Sequence, residues 1–482
     1  MSIDTKSWKA FAAAHAPDLT RTVFLPGLIT DPGHLARLID DSLRTATRHA
    51  PGELRLRAFR PGAFDYRLTQ RFVATPLADD ERAVDWLART AESDEECLAV
   101  NDVSAWNLEL AAEVARIVGE LVAEDVHELL SGTDVYTFVA HSGWTPFGIH
   151  KDSEPSLIFH LGPSPKEVFV WHDQPFDASG ITPNPSFGRI TFDIEEHLGT
   201  AERYLLHPGD FLCIPQDTYH VFRNLGPSAF LGLTLYPAKT RSLITEALWR
   251  ATPPLPPLPP YPPARALLTA AESLLTQPRP TPPASPTPAP AAAGSLAPAP
   301  AAAGSLAPAP AAAGSLAPAP GTTGSPAAAP TATALAPEPA PTAPPGSPGT
   351  PGPALLARVA HELTLAQLRL RTTGHLSRPH RAALPRTAPA PDAPLRWARP
   401  GVLAAVPHPD GTGEGTVLVA RGRTLTVPGA DAAAFDRLTE ATTADTPFTL
   451  AELAAALPPV LPAPERDRIA RDLHTAGAVI AR

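Results

Sequence analysis

The stretch PFGIHKDSEPS, residues 146–156, sets His150 and Asp152 two apart among Pro, Gly, small and apolar residues. Alternate side chains of an extended strand share a face, so an imidazole and a carboxylate at this spacing point the same way. A second imidazole lies in HPGDFLCIPQDTYHVFRN, residues 207–224. There a Pro-Gly-Asp turn feeds an apolar run, Pro215 ends it, and His220 follows five residues on. Two strands far apart in sequence can pair in a barrel and aim His150, Asp152 and His220 at one interior point. Two imidazoles and a carboxylate on one face of an ion leave its other positions open, which suits a non-haem Fe(II) oxygenase that must bind co-substrate and O2 at the metal. A His-x-Asp step alone carries little weight, because 16 histidines and 49 acids produce such pairs in solvated loops by chance. The distal histidine on its own turn and strand changes the odds.

Such groups need strands to hold them. DVYTFVA, PSLIFHL, EVFVW, GRITFDI, RYLLHPGDFLCIP and AFLGLTLYP are short β-rich runs broken by Gly, Pro or Asp, and AWNLELAAEVARIVGELVAEDVHELL (105–130) carries apolar residues at helical spacing. Helices first and then many close strands predict a mainly β catalytic domain with a helical flank, an antiparallel barrel over residues 1–250. Residues 251–353 read as a disordered Pro/Ala-rich linker: AAAGSLAPAP occurs three times in succession from 291 to 320, and Glu338 is the only charged residue from 281 to 353. PPLPPLPPYPP (253–263) is a stiff domain edge, with docking to a polyproline reader the rarer alternative. Residues 354–482 begin with a helix in PALLARVAHELTLAQLRLRTTGH, continue with TVLVARGRTLTVP as a hairpin and with short helices in DAAAFDRL, TLAELAAAL and ERDRIARDLHTAG, and end on AVIAR as a returning strand. That order describes a small α/β winged-helix-like module.

The motifs resemble one family, the cupin-fold JmjC-type Fe(II)- and 2-oxoglutarate-dependent oxygenases, and within it the ribosomal-oxygenase-like proteins. Their His-x-Asp follows an FG turn and their distal His follows a PGD…IP strand. Here these are Phe147-Gly148, His150 and Asp152, then Pro208-Gly209-Asp210, Ile214-Pro215 and His220. The match covers about residues 140–237. It implies a double-stranded β-helix (cupin or jelly-roll) catalytic domain, Fe(II) on His150, Asp152 and His220 as metal-binding and catalytic residues, and 2-oxoglutarate as co-substrate. It also implies a Lys or Arg on a neighbouring strand for the far carboxylate of 2-oxoglutarate. Lys166 stands sixteen residues after His150 and is one of only five lysines (6, 9, 151, 166 and 239) against 34 arginines; a surface lysine opening a strand is the alternative. By the same resemblance Thr145 adds a hydroxyl to that carboxylate, from two residues further than in related enzymes, and Asn224 braces the co-substrate or closes a turn.

Other residues carry less. His160 is in phase with Ser156 and Ile158, so it faces the barrel interior or is hydrogen-bonded in the wall. His141, His172 and His207 have no spacing argument and count as structural. Tyr136, Trp144, Trp171 and Tyr219 would keep the pocket dry or simply fill core. Lys151, where the family more often has an aromatic or small residue, points away from the metal. GPSPK is a longer approach to the cation than is usual in the family, and the linker is longer too.

Composition narrows the partners. The formal net charge is −10 with no dense Lys/Arg run, so neither nucleic acid nor a membrane is expected. Seven arginines against one acid in 369–399 suit protein or ribosomal contacts, or solubility. Two cysteines, a first segment without a basic leader joined to an apolar core, and the lack of any run near the roughly 18 apolar residues of a membrane span point to the cytoplasm. The expected activity is hydroxylation of a side chain of a protein or peptide, with ribosomal proteins leading, and with O2 as the oxidant. The alternatives are a hydroxylase of a peptide natural product or small metabolite, and a non-catalytic cupin adaptor. The family's helix-mediated homodimer is possible, and the long linker counts against it.

Overall fold

A computed structural model describes residues 2–16, 19–61, 63–123, 130–173, 183–184, 188–189, 193–237, 240–252, 353–377, 389–390, 392–399, 401–409, 415–442 and 446–481. In chain order the strands of the first part are β1 (Val23–Leu25), β2 (Arg55–Arg60), β3 (Ala63–Phe64), β4 (Cys97–Asn101), β5 (Leu130–Ala140), β6 (Gly143–Trp144), β7 (Ser156–Pro163), β8 (Lys166–Trp171), β9 (Pro183–Asn184), β10 (Gly188–Arg189), β11 (Glu202–Leu206), β12 (Phe211–Ile214), β13 (Tyr219–Asn224) and β14 (Ser228–Pro237). The larger sheet runs β1-β12-β7-β14-β5-β4-β2-β3 and the smaller β11-β8-β13-β6. The short pair β9–β10 stands apart from both. Count β5, β6, β7, β8, β11, β12, β13 and β14 from first to eighth. The first, eighth, third and sixth then lie side by side in one sheet, the second, seventh, fourth and fifth in the other, and their pairings are antiparallel. This is jelly-roll order, the double-stranded β-helix of cupins.

The period of two decides what each strand presents to each side. Ile158 of β7 turns between the two sheets, where it meets Val168 and Val170 of β8, Leu212 and Ile214 of β12, Phe222 of β13 and Phe230 of β14. Leu157, Phe159 and Leu161 of the same strand turn the other way, into the core that holds Trp8 of α1 (Thr5–His15), Leu35 of α2 (Pro32–His49), Phe72 of α3 (Tyr66–Ala74), Trp86 of α4 (Ala83–Thr90) and Leu110 of α5 (Leu108–Ala123). A third layer, with Ile149, Phe169, Trp171, Tyr219 and Val221, covers the outer side of the smaller sheet. SLIFHL and KEVFVW therefore read as nearly continuous apolar runs because both faces of each strand are covered.

Asp210 of the Pro-Gly-Asp turn is a buried staple. One carboxylate oxygen accepts from the Gly27 N–H at 2.8 Å and the other from the His207 N–H at 2.7 Å. Gly209, at φ +103°, takes a left-handed conformation that a side chain would strain, and a Cβ there would lie 3.1 Å from the Ile29 carbonyl.

The helices-then-strands expectation needs correction. β1 to β4 all precede β5 and extend the larger sheet. They escape a hydrophobicity reading because β1 and β3 are two or three residues long and β2 alternates Arg55 and Arg57 with Leu56 and Ala58. The helix expected over 105–130 is α5, and 124–129 lie outside the described residues, as do most of GRITFDI and residues 253–352 with the repeats.

After α6 (Thr240–Ala251), the chain is described again from α7 (Pro353–Thr372). Residues Met1–Thr252 and Ala357–Arg482 form one compact unit. Within it the Ser377 N–H donates to the Thr133 carbonyl of β5 at 2.9 Å. β15 (Leu395–Trp397) pairs with β19 (Val479–Ala481), while β16 (Leu403–Pro407), β17 (Gly415–Ala420) and β18 (Arg423–Pro428) form a three-stranded sheet. The β17–β18 hairpin turns on Arg421 and Gly422, at φ 50° and 78°, the paired left-handed residues of a type I′ turn. α8 (Asp436–Ala441), α9 (Leu450–Ala456, opened by a Thr449–Glu452 capping box) and α10 (Ala463–Thr475) complete this part. Among the described residues no helix is long and apolar enough to cross a membrane.

Asp210→Ala leaves two backbone donors without their acceptor, at a cost of about 2–4 kcal/mol. Chemical denaturation should show that loss, with Asp210→Asn losing less; an unchanged midpoint for the alanine variant would rule out the staple.

Candidate metal centre

His150 and His220 stand directly opposite each other on antiparallel backbone. The His150 N–H donates to the His220 carbonyl at 3.2 Å and the His220 N–H to the His150 carbonyl at 2.8 Å. Opposed residues of an antiparallel pair project to one side, and the two imidazole centroids lie 4.5 Å apart. Asp152, two residues on, keeps the same side. Its carboxylate oxygens lie 4.0 Å from His150 Nε2 and 3.7 Å from His220 Nε2. One ligand atom from each of the three lies within 4.8 Å of the others, which a single ion can bridge.

The tautomers suit an ion. His150 Nδ1 lies 3.0 Å from the Gly148 carbonyl and His220 Nδ1 2.9 Å from the Thr218 carbonyl. A carbonyl can only accept, so each ring carries its hydrogen on Nδ1 and offers the bare Nε2 inward. Each acceptor lies two residues before its histidine, and Gly148 holds the turn at φ +64°. Burial, and then His150 beside it, push His220 down to about 4, so this ligand is neutral and ready at neutral pH. Lys151 points the other way, its Nζ 5.3 Å over the Tyr219 ring on the outer side of the smaller sheet.

Lys166 opens β8 directly opposite Asn224 of β13, in register with the Val170–His220 pair four residues along. It therefore shares the interior face of His220. Its side chain is wholly buried, and among the described residues Nζ has no hydrogen-bond partner. Around it are the rings of Phe230, Phe138 and Phe222, with centroids at 4.6, 5.4 and 5.9 Å. Such contacts are worth roughly 0.5–2 kcal/mol, against several kcal/mol for an isolated buried ammonium. Desolvation wins, and burial lowers Lys166 to about 7. A surface lysine at a strand start is excluded by this burial.

Thr145 is buried beside the same strand. Its N–H donates to the Phe222 carbonyl at 2.9 Å and its hydroxyl accepts from the Phe222 N–H at 3.4 Å. Asn224 lies next to Lys166, with its amide donating to the Gly143 carbonyl at 3.1 Å and accepting from the Ser228 hydroxyl at 3.4 Å. His160 faces the interior, opposite Phe230 of β14. His141 reaches the Val84 carbonyl and His172 the Glu202 carboxylate, both away from this chamber.

The aromatic lining differs from expectation. Trp144, Trp171 and Tyr219 belong to the outer layer of the smaller sheet, because they alternate out of phase with Lys166 and His220. The aromatics on the ligands' side, between the two sheets, are instead Phe59, Phe138, Phe222 and Phe230, with Phe147 and Tyr136 partly buried against them. Phase relative to the ligands was the available signal: Tyr136 and Phe138 share a face of DVYTFVA, and Phe222 is two from His220. Gly232 makes room for Tyr136, since a Cβ there would fall 2.2 Å from the ring's Cζ.

No family model matches the chain, and no curated protein matches it. Among solved structures it is similar to Escherichia coli ycfD, at 15% identity and a TM-score of 0.48 with 100% of each chain covered. It is also similar to YcfD, described as a ribosomal oxygenase from Escherichia coli, in complex with cobalt and 2-oxoglutarate, at 15% identity and a TM-score of 0.45 over 99% of this chain and 98% of that one. A cupin superfamily protein from Desulfitobacterium hafniense aligns with 22% of this chain and 68% of its own, at 13% identity and a TM-score of 0.15. The jelly roll rests on this chain's own strand order and inward-facing residues.

Co(II) titrated into the full chain should bind with one-to-one stoichiometry and visible d–d bands. Removing a ligand by His150→Ala or His220→Ala should weaken binding beyond the roughly 10–100-fold typical of losing an outer-shell partner. Unchanged affinity in both variants would place the metal elsewhere.

Proposed function

We propose that the chain is an Fe(II)- and 2-oxoglutarate-dependent dioxygenase that hydroxylates a side chain of a protein, with ribosomal proteins as the leading substrate class. One observation carries the reading: a wholly buried lysine, without a hydrogen-bond partner among the described residues, shares the interior face of a His-Asp-His cluster. An isolated buried ammonium is retained at such cost where an anion comes to meet it. The donor set fits Fe(II): two imidazole Nε2 atoms and one carboxylate would hold it from one side, which would leave positions for co-substrate and O2.

His150, Asp152 and His220 would hold the metal, and Lys166 would bind the far carboxylate of 2-oxoglutarate, with Thr145 and Asn224 bracing the strand beside it. Bound Fe(II) supplies the O2 activation by which 2-oxoglutarate is oxidised to succinate and CO2 and a substrate C–H bond is hydroxylated. Phe59, Phe138, Phe147, Phe222 and Phe230 exclude water from the chamber, which strengthens the Lys166–carboxylate attraction. Gly148 and Thr218 fix the imidazole orientations through the Nδ1 hydrogen bonds. Ribosomal substrates come from the motif resemblance of residues 140–237. We assign 1–250 to catalysis, 251–353 to a spacer and 354–482 to a winged-helix-like module that contacts the partner, all in the cytoplasm.

The purified chain should convert 2-oxoglutarate to succinate in an Fe(II)-dependent manner, with His150→Ala losing at least about 10³-fold. A wild-type chain that binds iron and 2-oxoglutarate without turnover would make it a cupin adaptor. Comparing cells with and without the gene for a one-oxygen mass gain on proteins identifies the substrate; a gain confined to a peptide product or metabolite would overturn the protein-substrate assignment.

A further inference from the structure

Lys166 does not close the far end of the chamber alone. His160 sits on β7, in the other sheet, and is wholly buried opposite Phe230, whose ring lies 4.6 Å from Lys166 Nζ. The two residues therefore flank the same phenylalanine from facing sheets. His160 Nε2 lies 2.8 Å from the Ser164 carbonyl, so that nitrogen carries the ring hydrogen. Nδ1 is buried and, among the described residues, has no hydrogen-bond partner. The chamber thus holds two unpartnered nitrogens at one end, an ammonium and a bare imidazole acceptor. With Nε2 bonded to the wall, the ring is fixed and Nδ1 is the only hydrogen-bonding group it can offer a ligand.

A carboxylate oxygen cannot hydrogen-bond to a bare nitrogen, since both are acceptors. The contact forms only when a proton lies between them. We propose that His160 is the second anchor for the far carboxylate of 2-oxoglutarate, and that binding takes up one proton from solvent, which resides at Nδ1 and donates to the carboxylate. This rests on the co-substrate reading above. The far carboxylate is then held by two cationic donors, Lys166 from the smaller sheet and His160 from the larger.

The surroundings keep His160 neutral until the ligand arrives. Burial and then Lys166 push it down to about 3, and His207 adds to the effect against the Ser164 carbonyl. Asp210 lies across the strand pair, where its carbonyl accepts from the His160 N–H, but its carboxylate is turned to the Gly27 and His207 N–H groups. Cys97, on β4, is also buried, and its thiol is pushed above its usual range. No carboxylate of the protein among the described residues supplies the charge that would keep His160 protonated, so the ligand must.

The test is isothermal titration of 2-oxoglutarate into the Mn(II)-loaded full chain at pH 6.0, in buffers of different ionisation enthalpy. At that pH Lys166, at about 7, is already mostly charged, so uptake reports on His160. The expected result is about one proton taken up per ligand bound. His160→Gln keeps a donor for the Ser164 carbonyl; it should abolish the uptake and weaken binding on the order of 10-fold. Binding without proton uptake in the wild type overturns the proposal whether or not the variant folds. Uptake and affinity unchanged in a folded His160→Gln overturn it too. Absence of any 2-oxoglutarate binding to the Mn(II)-loaded wild type overturns the co-substrate reading itself, a separate outcome.

Discussion

Among the described residues, the buried amino group of Lys166 has no anion to meet it between the sheets of this jelly roll. Lys166 is wholly buried, Phe138, Phe222 and Phe230 surround its Nζ, and no hydrogen bond reaches it. Water is excluded on every side, and cation–π attraction of roughly 0.5–2 kcal/mol recovers only part of the lost hydration. On the proposed function, this unfavourable charge is retained to meet the far carboxylate of 2-oxoglutarate. Removing water from around a fixed cation also raises the value of every later contact with a carboxylate.

Strand pairing sets where that cation stands relative to the metal ligands. β13 carries His220, Phe222 and Asn224 inward at alternate positions, and β8 opposes them with Val170, Val168 and Lys166. The first pair lies by the metal cluster and the last at the carboxylate end, four residues of strand apart. A one-residue slip in this register would turn Lys166 and His220 to opposite faces. The outer layer of Phe169, Trp171, Tyr219 and Val221 guards against it, since the slip would also bury polar groups under that layer and expose its apolar side chains. The larger sheet supplies the third wall through Phe138, His160 and Phe230, pressed from behind by helices α1 to α5.

Much of this was legible in the residues. The His150–Asp152 pair and the Pro-Gly-Asp strand leading to His220 marked the metal-ligand cluster without any knowledge of pairing, because each motif encodes local geometry, an alternation and a turn; Lys166 entered through the family resemblance, and its burial appears only in the fold. The hairpin in TVLVARGRTLTVP, which turns at Arg421–Gly422, was similarly local. What escaped depends on which strands become neighbours. β1 to β4 join the larger sheet through long-range pairings, such as Val23 with Cys213, that no short window contains. Trp144, Trp171 and Tyr219 carried the right chemistry for a dry pocket but sit out of phase with the ligands, on the outer face. His160 could be placed on the inward face by alternation alone, yet its bare Nδ1 appears only once the Ser164 carbonyl is seen to hold the other nitrogen.

The central claim, that Lys166 is strained by burial so that a carboxylate can relieve it, is tested most directly by comparing the wild type with Lys166→Met in chemical denaturation at pH 6.0. Each protein is measured first without ligands and then with Mn(II) and saturating 2-oxoglutarate. Removing an unpaired buried charge should make the ligand-free variant more stable than the wild type, by roughly 1–3 kcal/mol. Adding 2-oxoglutarate to the Mn(II) forms should then stabilise only the wild type. A ligand-free variant less stable than the wild type, stabilised by 2-oxoglutarate to the same extent, would show that Lys166 is an ordinary core side chain and contradict the account.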